Sequence, residues 1–284
     1  MSSKSSYNTI AENYMTAADQ FGAISQSHEV AMTQIAQVQL KSSSCYNILD
    51  LGVGDAAFLV KLKKEFSLAK CTGIDLSPGM LKRAKKALDL ITIEASALEA
   101  SQHLPPKSQD LVLAHFINAY VPIDPLFQEA NVVTREGGYF SMITTTYESS
   151  PLAQRQLEAF FAKNSLISRL AQLYYKVIIK HTPVASSAEE LLRTFIKYDF
   201  QVVAHQRLHI PVKFETVEEL IAFGVEGGWF VNIFSIRILP KKFVLWQLKR
   251  FLSKILTFPY EDIHIIDILL AQKEKGLTTS LKEK

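Results

Sequence analysis

The chain has little with which to cross-link itself and little net charge. Two cysteines among 284 residues, Cys45 and Cys71, are too few for a disulfide framework, and they lack the spacing of a metal site. Lys and Arg outnumber Asp and Glu by only 31 to 28, too small a surplus to indicate nucleic acid. No apolar stretch reaches the roughly 18 residues that a membrane span needs. The most apolar region, 229–256, is broken by Asn232, Arg237, Pro240, Lys241 and Lys242. The opening MSSKSSYNTIAENY is polar and lacks the apolar run of a secretory signal, so a cytoplasmic location is expected. What is plentiful is core material. Hydrophobic residues make up 48% and charged residues 21%, which excludes general disorder and suits one large domain or a core with a cap.

Short apolar runs alternate with helical patterns through the first half. Candidate strands are 47–52, 71–76, 90–95, 110–115 and 138–146. Between the first two, Phe58, Leu59, Leu62 and Phe66 recur at helical spacing. Between the second and third, Ser77 and Pro78 open a helix over 78–89. Strands and helices alternating at this interval imply right-handed βαβ units and a parallel sheet. In the second half, 151–180 reads as one or two helices. The pairs Ser187–Glu190 and Thr216–Glu219 are capping boxes for helices near 188–198 and 217–223. Residues 200–210 and 263–272 read as strands, and the tail from Lys273 is polar.

Two motifs bear chemistry. Asp50-Leu51-Gly52-Val53-Gly54-Asp55-Ala56 ends one strand and precedes a helix, where glycines allow a tight turn and a close approach of backbone to ligand. Asp75 ends the next strand, and a carboxylate there suits the two hydroxyls of a ribose. Gly52-x-Gly54-x-x-Ala57 also fits a dinucleotide fingerprint, which keeps a nicotinamide-dependent oxidoreductase as an alternative. Asp50 weighs against it, because a carboxylate would repel a pyrophosphate but attract an ammonium or a sulfonium.

Residues 48–56 (ILDLGVGDA) resemble the first motif of the class I S-adenosylmethionine-dependent methyltransferases, and 73–86 (GIDLSPGMLKRAKK) resemble the second. Residues 110–121 resemble the fourth strand and following helix of the small-molecule branch, and 137–144 resemble the fifth strand. Tyr7 to Tyr14 is similar to the opening of ubiquinone/menaquinone-type methyltransferases. The resemblance implies a Rossmann-like α/β fold, a seven-stranded mixed sheet of order 3-2-1-4-5-7-6 with helices on both faces and a mainly helical cap. It implies S-adenosylmethionine as cofactor and S-adenosylhomocysteine as product. Asp50, Gly52 and Gly54 would hold the methionine end and Asp75 the ribose. Leu76 and Met80 would pack on the adenine, with Ser96, Ala97 and Leu98 on its far face. His115 and Phe116 would lie near the sulfonium, and Tyr14 would close over the site. Ala56 stands where the family usually has a third glycine, and Ser96 where it usually has an acid. Those departures keep a non-catalytic cofactor-binding relative as a further alternative.

The division that follows is an N-terminal helical segment over 1–40, a cofactor-binding core over 41–147, and the rest of the core over 148–272. That last part carries cap insertions at 148–185 and 211–262, and a tail follows at 273–284. The acceptor would be a small, apolar molecule, methylated at O, N or C. Ala114-His115-Phe116-Ile117 lacks the Asn/Asp-Pro-Pro-aromatic run of enzymes that methylate bases in nucleic acids, and Asn118 falls inside the expected helix. His115 and Tyr147 are the candidate bases, ahead of His181 and His205, should the acceptor need to lose a proton. Tyr174, Tyr175, Trp229 and Phe230 are candidates to line the acceptor pocket. Residues 227–260 have no Asp or Glu. Within them Val244, Leu245, Leu248, Phe251, Leu252, Ile255 and Leu256 share one helical face, opposite Lys242, Lys249, Arg250 and Lys254. Such a helix over 240–256 would either pack on the cap or rest on an anionic bilayer as a peripheral contact.

Overall fold

The computed structural model describes residues 17–38, 46–180, 184–229 and 241–275. Tyr14, His181 and Phe230 lie outside them. Seven strands form one sheet: β1 (Asn47–Leu51), β2 (Lys70–Asp75), β3 (Ile91–Glu94), β4 (Gln109–His115), β5 (Thr134–Thr144), β6 (Phe200–Phe214) and β7 (Tyr260–Lys273). Their order is β3-β2-β1-β4-β5-β7-β6. β7 alone runs opposite to the other six. This is the topology expected from the resemblance.

The described helices are α1 (Ala23–Gln37), α2 (Ala57–Glu65), α3 (Pro78–Ala87), α4 (Ala100–His103), α5 (Ile123–Val133), α6 (Pro151–Ala162), α7 (Leu166–Lys180), α8 (Ala188–Lys197), α9 (Val217–Glu226) and α10 (Lys241–Ile255). Alternation along the central strands divides the core in two. Ile48, Leu111, Leu113, Ile266 and Ile268 meet α1, α2 and α3 on one face. Leu49, Leu51, Val112, Phe140 and Leu269 meet α5 and α8 on the other. Phe127 centres that second layer, with its ring 4.7 Å from Phe195 and 5.2 Å from Phe140.

Both strands of the last hairpin are longer than expected. Thr144, the last residue of β5, pairs with Asp267, whereas β6 and β7 stay paired out to Phe214 and Tyr260. The ends 211–214 and 260–262 therefore belong to the sheet and not to a cap insertion. They form a two-stranded arm that overhangs the carboxyl edge. A third cluster grips it, made of Val212, Phe214, Leu220, Phe223, Leu256 and Tyr260. The apolar face expected on α10 is the inward one. Val244 is buried, Phe251 meets Phe160 of α6 at 5.5 Å, and Leu252 and Ile255 join the third cluster. That face is spent on the cap and is not free to rest on a bilayer.

Both capping pairs form, with one shift. Ser187 and Thr216 accept from the amides of Glu190 and Glu219, while each glutamate reaches one residue further back, to the amides of Ser186 and Glu215. At α6 the preceding Ser150 makes no side-chain cap. Asp262 of β7 replaces it, accepting from the amides of Leu152 and Ala153 at 3.1 and 2.9 Å. One carboxylate thus fastens the cap to the arm.

Candidate active site

The parallel register of β1 and β2 brings the two sequence motifs together. Asp50 lies opposite Gly73, and Leu51 opposite Ile74. Beyond β1 the amides of Gly52 and Val53 both bond to the Ile74 carbonyl, at 2.8 and 3.0 Å, so the turn leans over the end of β2. The Gly54 amide then donates to Asp75 Oδ2 at 2.9 Å, and the Ser77 amide to Asp75 Oδ1 at 2.8 Å. Burial raises the Asp75 carboxyl against the pull of these two amides.

Gly52 and Gly54 both have left-handed backbone, with φ of 80° and 54°. A Cβ on Gly54 would meet nothing within 4 Å, so this position faces open space. A Cβ on Gly52 would lie 2.5 Å from Ile117 Cδ1. Gly52→Ala is therefore expected to cost about 1–2 kcal/mol from backbone strain alone, read as a lower urea midpoint. Ala56 caps α2 with φ 65°, which is why glycine is usual there.

Beneath the turn lies Asp50, buried, with its carboxyl pushed up to about 8 by burial and by Asp75 and Asp55 nearby. Beside Asp75, Leu76 is 41% exposed, and Met80, in the first turn of α3, is buried. Ser96 sits after β3 as the cap of a short 3-10 turn. Its hydroxyl accepts from the Leu98 amide at 3.2 Å, and Glu99 bonds its own amide in return. Ala97 is buried and Leu98 half-buried at the same strand end.

At the end of β4, His115 points to the α1 and α2 side. Its Nε2 lies 3.0 Å from Ser141 Oγ, and its ring is 4.4 Å from Phe58 and 5.9 Å from His28. Burial, with His28 beside it, holds the His115 imidazole well below the usual histidine range. His28, also buried, falls to about 4. Phe116 follows with φ 56°. Asn118 is not in a helix. Its segment turns, and α5 starts only at Ile123, after Pro122. Asn118 Oδ1 accepts from the Thr144 hydroxyl, and its Nδ2 is buried without a described protein partner.

An aromatic wall faces this edge. Trp229 stands 5.8 Å from Phe116, 6.0 Å from Phe223 and 4.6 Å from His264 of β7. Tyr120 donates to the Gly228 carbonyl at 3.1 Å, tying the β4 loop to the Trp229 segment. Burial lowers His264 to about 4, so this wall is uncharged at neutral pH.

With this geometry in view, residues 49–142 match a protein family described as methyltransferase domain. The chain has a Rossmann-like methyltransferase fold. No curated protein matches it. Among solved structures, the chain is similar to a putative methyltransferase of Bacillus halodurans at 16% identity and a TM-score of 0.56, covering 87% of this chain and 99% of that one. It is similar to geranyl diphosphate C-methyltransferase of Streptomyces coelicolor, solved with S-adenosyl-L-homocysteine, at 13% identity and a TM-score of 0.50, covering 88% and 76%. It is also similar to the [4+2]-cyclase SpnF at 14% identity and a TM-score of 0.52, covering 88% and 81%.

Within the matched region, the residues that come together are Asp50, Gly52, Gly54, Asp75 and Leu76 at the β1–β2 edge, with Ser96, Ala97 and Leu98 at the end of β3. His115 and Phe116 adjoin from β4. Tyr147 stands apart, on the cap side with Tyr175. Burial, with that neighbour, pushes its phenol up to about 12, so it keeps its proton at neutral pH. His205 sits on β6, its Nε2 2.8 Å from the buried Asp267. Arg207 donates to Asp267 from Nε and Nη2, at 2.9 and 3.1 Å, and bridges to Glu148. Sequence reasoning missed His28, His264 and Asp267. For Asp267 the signal was visible, since an acid inside the apolar run Ile263–Leu270 needs a partner.

Proposed function

We propose that the protein binds S-adenosylmethionine and transfers its methyl group to a small, apolar molecule. The observation that carries this reading is the contact of Gly54 and Asp75 above the buried Asp50. An open glycine, a ribose-sized carboxylate site and an acid poised to meet a cation lie within one turn. Asp75 would hold the ribose hydroxyls, and Asp50, Gly52 and Gly54 the methionine end. Leu76, Met80, Ser96, Ala97 and Leu98 would bound the adenine, and Tyr14 would close the site from the N-terminal segment. The cofactor supplies a methyl group already activated on a sulfonium, so positioning and exclusion of water are what the chain must add. The uncharged wall of Phe116, Trp229 and His264 favours an apolar acceptor. No general base is assigned: His115 and His264 are weak bases, and Tyr147 holds its proton.

Titration calorimetry with S-adenosylmethionine and S-adenosylhomocysteine tests the cofactor, and absence of binding at millimolar ligand would overturn it. The pH profile tests Asp50. Free Asp50 keeps its proton below about pH 8. An ammonium beside it favours the carboxylate, so binding expels a proton. Affinity for S-adenosylhomocysteine should thus rise with pH and flatten near 8, while that for adenosine, which has no ammonium, should not. Labelled-methyl transfer to a cell extract separates an enzyme from a silent cofactor-binding relative, a distinction that the fold shared with a cyclase does not make.

A further inference from the structure

The positive charge of the chain is concentrated in its cap. Residues 159–188 carry Lys163, Arg169, Lys176 and Lys180 without one acid, and 227–260 carry six Lys and Arg, likewise without one. The chain as a whole is only +3, so the remainder is net acidic. These segments supply α7, the end of α6, and α10. α6 joins the other two, with Phe161 5.5 Å from Tyr175 of α7 and Phe160 5.5 Å from Phe251 of α10.

α7 also displays large apolar side chains to solvent. Leu166 is 75% exposed, Leu173 60%, and Ile167, Leu170 and Tyr174 are exposed as well. At 100° per residue these five fall on one stripe, bordered by Arg169 and Lys176, while Ser168, Ala171 and Tyr175 turn inward. An apolar stripe of this size left open on a helix marks an interaction surface. α10 adds an outward face of a different make. Its apolar side is packed, but Phe243 and Trp246 are exposed among Lys242, Arg250 and Lys254, and the Arg250 guanidinium lies 4.7 Å over the Trp246 ring. Lys249 is tied to Glu218.

We infer that the α7–α10 side of the cap docks on an anionic lipid bilayer. Exposed leucines and aromatics would enter the interface, and basic side chains would meet lipid headgroups. The absence of acids from both segments favours a negatively charged surface over a neutral apolar partner. This inference does not depend on methyl transfer.

Co-sedimentation with vesicles tests it. The full chain is expected to sediment with phosphatidylcholine–phosphatidylglycerol vesicles, to stay in solution with phosphatidylcholine alone, and to be released by salt. Leu170→Ser with Leu173→Ser should abolish sedimentation, and these exposed sites leave the circular dichroism spectrum unchanged. Each of Arg169→Gln, Lys242→Gln and Lys254→Gln should weaken partitioning about fivefold. Indifference to the anionic lipid, or to the leucine pair, would overturn the inference. So would a dimer of the free protein that the leucine pair dissociates, since a second copy would then cover the stripe.

Discussion

Asp75→Ala is expected to weaken S-adenosylhomocysteine binding at least a hundredfold in titration calorimetry. Two ribose hydroxyls would lose their charged acceptor, at about 1.5 kcal/mol or more each, and about 3 kcal/mol is two powers of ten in affinity. The loss has a second source within the protein. The same carboxylate holds the Gly54 and Ser77 amides, so its removal also frees the turn that presents Gly54. Asp75→Asn keeps an oxygen for one amide and should lie between the wild type and the alanine variant. Retained thermal unfolding would show that the site, and not the fold, was lost. Unchanged affinity in Asp75→Ala would remove this residue from the cofactor site.

Asp267→Ala is expected to lower unfolding stability by about 3 kcal/mol, read as a lower urea midpoint. The Asp267 carboxylate is wholly buried, and its partners are His205 and Arg207 from the neighbouring strand. Removing it leaves a guanidinium with only Glu148 beside a buried gap. The same group sets an acid limit. Burial alone would raise the carboxyl, but the bonds from His205 and Arg207 outweigh it and hold it below the usual range. Its contribution is then complete above the unfolded value of about pH 4 and fades as pH falls through the lowered native value. Asp267→Asn should therefore lose stability at neutral pH and show a shallower fall in acid.

The first half is legible in sequence because each piece is local. A strand, a glycine turn and a helix follow one another at Asp50–Ala57, and Ser77 and Pro78 announce the next helix. The register that joins Gly54 to Asp75 comes with the parallel βαβ unit itself. The second half depends on partners far apart in the chain. His264 meets Trp229 only because β7 returns beside the cap, and Asp267 finds Arg207 sixty positions back. Asp262 caps a helix more than a hundred residues earlier. No window of sequence holds both members of such pairs. Asn118 was misplaced for a nearer reason, since Pro122 and Asp124 signalled that α5 begins after it. On α10 the helical spacing marks the apolar face correctly, but only packing decides whether such a face meets lipid or protein.

The position of β7 imposes an order of assembly. It is the last of the seven strands in the chain, yet it lies between β5 and β6. Until residues 260–273 are synthesised, β5 presents an open edge and β6 has no neighbour to bond. The half that would bind cofactor emerges first and can assemble around β1 to β5. The overhanging arm, and with it the Trp229–His264 wall, cannot exist until the final strand slides into its slot. Nascent chains thus pass through a stage in which a nearly complete nucleotide-type sheet carries an unsealed, apolar border, the stage at which a chaperone would have most to protect.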